Sequence, residues 1–323
     1  MAEIRKTMIG GQALIEGIVM RGDSIAAMGI RLPSGEIEVT EKKLNPLKKK
    51  YKILGLPIIR GVVGFFETLI FGYSCLMESA EKAGIEDIEP ESKFDKWLDE
   101  HFGEKMMAII SVISAVLGVG LSLLLFMYLP AFIVDMFDKY ITGNILDENR
   151  LHPLFEGIIK IVLFVLYMLA VSRLEDIKRV FMYHGAEHKT IFCYEKGLPL
   201  TVENVAKQIR FHPRCGTSFM FVMMIISIFL STALIVIFPG LSASRPLWVA
   251  VKILILPLNM GIGYEFIKYA GRHDNIFTKI ASAPGLWMQR ISTNDPTDDM
   301  IEVGIAAFTY VLEHETANMD IKV

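Results

Sequence analysis

MMAIISVISAVLGVGLSLLLFMYLPAFIV, residues 106–134, runs for 29 positions without a charged side chain. A helix rises about 1.5 Å per residue and the bilayer hydrocarbon is about 30 Å thick, so this stretch is long enough to cross a membrane. Residues 217–244 repeat the pattern, with no charge in 28 positions. Soluble cores seldom hold helices that are apolar on every face over such a length. Two weaker stretches flank these. Leu154 to Ser172 carries Glu156 and Lys160, four residues apart and able to pair on one helix face; Leu247 to Tyr269 carries Lys252 near one end and Glu265 near the other. The expected fold is therefore an α-helical polytopic membrane protein of four transmembrane helices with a small cytoplasmic α+β cap.

The loops orient those spans. The 173–216 connection holds Arg173, Lys178, Arg179, Lys189, Lys196, Lys207, Arg210 and Arg214, whereas 135–153 holds only Lys139 and Arg150 among four acids, and 240–246 only Arg245. The bias of basic residues toward the cytoplasm puts that loop and both termini inside, in the cell (inner) membrane. MAEIRKTMIGG at the start has no apolar core and does not read as a signal peptide. Net charge is −3, which argues against a nucleic-acid partner. Cys75, Cys193 and Cys215 fall on the cytoplasmic side, where a free thiol or a metal ligand is expected rather than a disulfide.

Outside the spans, residues 1–52 read as a β unit: SIAAMGIRLPSGEIEVTEKKL has two runs about a turn at Pro33–Gly35, preceded by IGGQALIEGIVMRGD with its own glycine turns. Residues 53–105 hold an apolar stretch (53–77) containing Arg60 and Glu67, then a polar connection. A fifth span there would move the basic loop outside, so an interfacial or re-entrant helix is expected. Residues 106–270 form the membrane domain, with a cytoplasmic hairpin at 173–216, and 271–323 end in an amphipathic helix. Asn294 or Asp295 is its expected cap, Pro296 suits its first turn, and Ile301, Ile305, Phe308 and Leu312 form its apolar stripe.

The chemistry gathers near the second span, whose helix is expected to continue outward to Gly197. In YHGAEHKTIF (183–192), His184 and His188 share one helix face a turn apart, the spacing at which two imidazoles hold one ion, usually zinc. Glu187 stands where the general base of an H-x-x-E-H metallohydrolase stands. RFHPRCGTSF (210–219) follows, joined by a short helix starting at Thr201. Its Pro213 and Gly216 restrict a turn that carries His212 and Cys215. Cys215, His212 and Glu265 are rival third ligands; Glu195 and His273 are weaker.

GGQALIEGIVMRG, HGAEHKTI, HPRCGTSF and NDPTDDMIEVGIAA together resemble the YqhQ-like bacterial membrane proteins, a domain family of unknown function described as predicted metal-dependent enzymes. The resemblance implies that residues 10–22 belong with the site, with Glu16 and Arg21 facing it. The expected function is a zinc-type, metal-dependent hydrolase at the cytoplasmic membrane surface. Arg21 or Arg214 would steady negative charge, on a substrate or partner that is a membrane lipid or membrane protein. The alternative is a scaffold or regulator with a structural metal site; a transporter ranks last, because the spans carry few charges.

Overall fold

The computed structural model describes residues 7, 9–44, 46–47, 51–84, 113–143, 145–148, 151–213, 215–242, 244–270, 273 and 275–320. It opens with strands β1 (Gly10–Leu14), β2 (Gly17–Arg21), β3 (Ile25–Arg31) and β4 (Ile37–Lys43), an antiparallel sheet in sequence order. The turn expected at Pro33–Gly35 joins β3 to β4, and Gly35 takes the positive φ of 88° that such a turn asks of a glycine. A two-residue turn, Ile15 and Glu16, joins β1 to β2, and there a glutamate bears a φ of 49°. β3 does not alternate, because both its faces are covered: Ile25 through Ile30 are buried throughout.

The helices are α1 (Ile59–Lys82), α2 (Ile113–Thr142), α3 (His152–Val171), α4 (Glu175–Glu195), α5 (Val202–Ala206), α6 (Gly216–Ile237), α7 (Arg245–Leu254), α8 (Leu256–Ala270), α9 (Ile276–Ser292) and α10 (Asp298–Asp320). Among the described residues α1, α2, α3 and residues 220–237 of α6 are long and apolar enough to cross a membrane; α7 and α8 add a fifth if taken as one bent span. Residues 106–112 and 85–105 lie outside the described residues.

Several sequence expectations shift. The 247–269 stretch breaks into α7 and α8 with a bend of 42°, since Pro257 brings no N–H to the helix ladder. Pro130 similarly follows a wide π turn, Leu124–Tyr128, within α2. The second span does not run on into the histidine helix: the chain turns at Ser172–Leu174 and α4 begins afresh. Gly197, at φ 67°, ends α4 as expected, with its N–H on Tyr194 O and that of Leu198 on Cys193 O. The C-terminal helix starts at Asp298 rather than beside Asn294, its first backbone bonds reaching Thr297 O, and α9 before it was not foreseen. Glu156 does not pair with Lys160: it binds Lys252 directly and accepts from Trp248 Nε1 at 3.1 Å, all three buried.

The chain divides into two compact units, residues 1–86, 168–222 and 260–323, and residues 87–167 and 223–259. In the first, the sheet is sandwiched. One face packs Ile18, Met20, Ile25 and Ala27 against Tyr183, Ala186 and Ile191 of α4 and Met300, Ile301, Val303, Ala307 and Phe308 of α10. The other packs Leu14, Val19, Ala26, Met28 and Ile30 against Cys75, Phe71 and Leu76 of α1. Of the expected α10 stripe, Ile301 and Phe308 are wholly buried, and Ile305 and Leu312 pack at its margin. The second unit contains α2, α3 and α7, with the aromatic contacts Phe126–Phe164 and Phe126–Tyr167 between α2 and α3.

Candidate metal centre

α4 carries both histidines on one face, their rings 4.4 Å apart. Each ring is oriented from behind by a backbone carbonyl: His184 Nδ1 bonds Ser292 O at 2.8 Å and His188 Nδ1 bonds Arg210 O at 2.5 Å. A carbonyl only accepts, so both protons sit on Nδ1 and both Nε2 lone pairs are left for something else. Cys215, at the start of α6, brings its Sγ to 3.2 Å from His184 Nε2. One ligand atom from each of His184, His188 and Cys215 lies within 4.8 Å of the other two. Burial lowers the pKa of His188, partly offset by Cys215 and the Arg210 carbonyl, and so favours the neutral, ligating imidazole.

The rival ligands go elsewhere. His212 lies behind the cluster, its ring 5.5 Å from that of His188, with Nε2 at 3.8 Å from the Glu195 carboxylate. Its backbone is clamped by Gln289, which accepts from His212 N at 2.7 Å and donates to His212 O at 2.8 Å. Glu265 forms a two-point pair with Arg60, at 2.6 and 2.5 Å. Glu195 itself accepts from Thr7 N, and His273 is exposed against Tyr269. Arg214 lies outside the described residues. Gln289 and Ser292 thus support the centre from α9, a helix whose sequence gives no sign of it.

Glu187 is 5% exposed and faces β1, where it accepts a hydrogen bond from the Gly11 backbone. Burial raises its pKa; His184 and that hydrogen bond pull it back. A Cβ at Gly11 would stand 2.8 Å from Glu187 Cγ, which explains the glycine. Gly185 has a like reason: its Cβ would stand 2.0 Å from Asn294 O, where the NDP segment crosses α4 and Asn294 N bonds Phe181 O. The motif's charges brace this helix. Glu16, at the left-handed turn, pairs with Arg179 and accepts from Tyr183 Oη at 3.1 Å, while Asp295 pairs with Lys189 and Arg210. The hydrogen bonds hold the Arg179 guanidinium charged, and burial beside Glu16 pushes the Tyr183 phenol up.

Two cavities adjoin. A space of about 700 Å³ is lined by α1 and α8, including Gly61, Phe65, Leu69 and Tyr264, and by Cys215 and Gly216. A second, of about 310 Å³, is lined by Gly10, Gly11, Val19, Arg21 and Phe71, and shares Gln12 and Thr68 with the first. Arg21 bonds Thr68 Oγ1 at 3.3 Å and lies over the Phe71 ring.

The four motifs that suggested a family occupy one neighbourhood: GGQALIEG against Glu187, HGAEH, HPRCG and NDP. Residues 56–314 match the model of the family described as Protein of unknown function (DUF1385). The chain belongs to this family. It is also 32% identical over 315 residues to the uncharacterized protein YqhQ of Bacillus subtilis (strain 168), covering 95% of this chain and 92% of that relative. No solved structure matches. The matched range takes in the His184, His188 and Cys215 centre, and the alignment to the Bacillus relative extends the likeness to nearly the whole length of this member of the family.

Proposed function

We propose that the protein is a metal-dependent hydrolase working at the cytoplasmic surface of the cell membrane, with His184, His188 and Cys215 as ligands of one zinc-type ion. The observation that carries this reading is the locking of both Nδ1 atoms on carbonyls, which turns two Nε2 lone pairs toward one thiol. Two imidazoles and a thiolate suit zinc. Three protein donors with a cavity beside the third match a catalytic site, which keeps one position open; a structural site closes with a fourth donor. An ion held there would supply a bound water acidic near neutrality. Glu187, one turn from His184 and braced by Gly11, is the group to take its proton. Arg21 is the cation available to a negatively charged substrate.

The topology supports the same reading. The sheet, α4 and α10 share one core, so they share one side of the membrane. The chain must then cross an even number of times between β4 and α4, and again between α4 and α10. α2 and α3 supply the first pair, α6 and the bent α7–α8 unit the second. α1, despite its length, then returns along the interface, consistent with its C-terminal half packing on the sheet through Cys75 and through the Lys82–Glu38 pair. The eight basic residues of 173–216 favour the cytoplasm for that side.

The deciding experiment pairs metal analysis with Glu187→Gln. Purified wild type is expected to hold about one divalent ion. Glu187→Gln is expected to insert, keep its ion, and fail to restore the phenotype of a deletion strain. Full complementation by that variant would leave a scaffold with a structural metal as the better reading.

A further inference from the structure

We propose that the paired cavities bind one anionic phospholipid, its acyl chain in the larger and its phosphate on Arg21 in the smaller. This assigns a substrate class to the centre above and rests, for turnover, on that reading. The binding argument is independent. The larger cavity is walled by α1 and α8, both apolar enough to lie against lipid, and its lining is apolar apart from Gln12, Thr68, Tyr73, Tyr264 and Cys215. Gly64 leaves room in its wall, while Tyr264 and Gln12 pack close over Gly61 and Gly72. Its volume of about 700 Å³ is within the usual span of ligand sites, roughly 300–1,000 Å³.

The smaller cavity supplies the opposite chemistry. Among the described residues no carboxylate pairs with Arg21; it meets a hydroxyl and an aromatic ring, both of which leave guanidinium donors for an anion. The backbone of Gly10 and Gly11 lines the same space. Gln12 and Thr68, common to both cavities, mark the boundary between chain and head group. An uncompensated cation next to an apolar slot fits a ligand with one charged end and one hydrocarbon end. A transmembrane peptide would bring no phosphate, and a soluble phosphate ester would leave the larger cavity unused. Cys215 lines the larger cavity together with the boundary residues Gln12 and Thr68, so an ester joining the acyl chain to the head group would lie in the same space as one of the three donors.

The test uses purified, chelator-treated full-length protein in detergent, titrated with phosphatidylglycerol, diacylglycerol or glycerol phosphate and read by native mass spectrometry. One phosphatidylglycerol per chain is expected. Arg21→Ala should weaken it about 10- to 100-fold, the scale of losing a hydrogen-bonded charge contact, and leave the weaker diacylglycerol binding unchanged. Gly64→Leu should abolish both. A Cβ at Gly64 meets only Tyr264, at 3.9 Å, and leucine favours the helix, so that variant should fold; Leu69→Trp is the second cavity-filling variant. Phosphatidylglycerol binding that survives Arg21→Ala and both cavity-filling variants overturns the proposal, as does glycerol phosphate binding as tightly as the lipid. Displacement of the lipid by a hydrophobic transmembrane peptide insensitive to Arg21→Ala would assign the cavities to a protein instead. Metal content, measured in parallel, separates the two readings. Lipid without metal ends the hydrolase and keeps this site; metal without lipid does the reverse.

Discussion

Glu156, Lys252 and Trp248 in the second unit are buried and in mutual contact, and His184, His188 and Cys215 also meet, with His188 buried and the other two half-buried, but the two clusters are completed differently. In the first, a carboxylate meets an ammonium and an indole N–H, and acceptor and donors satisfy each other. In the second, both ring N–H donors are spent outward on Ser292 O and Arg210 O, and what converges is two imidazole Nε2 lone pairs on the one thiol of Cys215, which has a single S–H to offer them. One S–H serves only one of two Nε2 acceptors at a time, so this cluster is not closed by its own donors, and the cation of the proposed function would complete it. Burial and polarity alone would rank both as functional sites. The direction of the hydrogen bonds is what sets the proposed metal site apart from a structural tie.

The contrast breaks most readily at the ion pair. Lys252→Ala leaves a buried carboxylate uncompensated and is expected to cost about 3–5 kcal/mol, read by thermal or denaturant unfolding in detergent. The combined Glu156→Gln, Lys252→Met variant should recover more than half of that loss. A single variant as stable as wild type would mean that Glu156 is not held as a closed pair.

At the other cluster, stability should depend on the ion and not on the side chains alone. With free ion at about 100 times Kd, a chelator is expected to lower the unfolding free energy of wild type by about 2.7 kcal/mol and to leave His188→Ala unmoved. Equal chelator effects in both proteins would contradict the centre as drawn. The ion pair at Lys252 should be insensitive to chelator, which sharpens the contrast.

A subtler expectation concerns Gly185. A methyl there meets Asn294 O at a separation no contact tolerates, so the NDP segment must shift, at about 1–3 kcal/mol for overpacking. Ser292, which orients His184, is two residues from Asn294. Gly185→Ala should therefore also weaken metal binding, by about 10- to 100-fold as other losses behind a ligand do. Competition against a chelating dye measures it, and wild-type affinity in this variant would uncouple the NDP segment from His184.

The sequence announces some of this and conceals the rest for physical reasons. Long uncharged runs disclose helices because lipid demands apolarity on every side, and the pairing of His184 with His188 follows from helical spacing alone. The break at Ser172–Leu174 is silent, since neither glycine nor proline marks it. Bending at Pro257 was visible in principle but lay within an apolar run that reads as one span. Which of the three candidates stands beside the histidines depends on tertiary placement: Cys215, His212 and Glu265 are equally plausible as chemistry, and it is Cys215 that the fold brings to His184, while Glu265 meets Arg60 and His212 faces Glu195. Gln289 and Ser292 act through an amide and a backbone carbonyl, and no motif records a carbonyl.

The sandwiching of the sheet bears on how the protein is made. Strands built from residues 10–43 find one of their three covering helices only at residues 298–320. At ordinary synthesis rates the ribosome needs roughly 10–50 s to cover that interval, during which membrane helices are being threaded. Until then the sheet face with Ile18, Met20, Ile25 and Ala27 has at most α4 to cover it and is exposed to aggregation and to proteases. The last helix thus acts as a completion check: chains stopped before residue 298 should be inserted but degraded, and supplying α10 as a separate peptide during synthesis should rescue them.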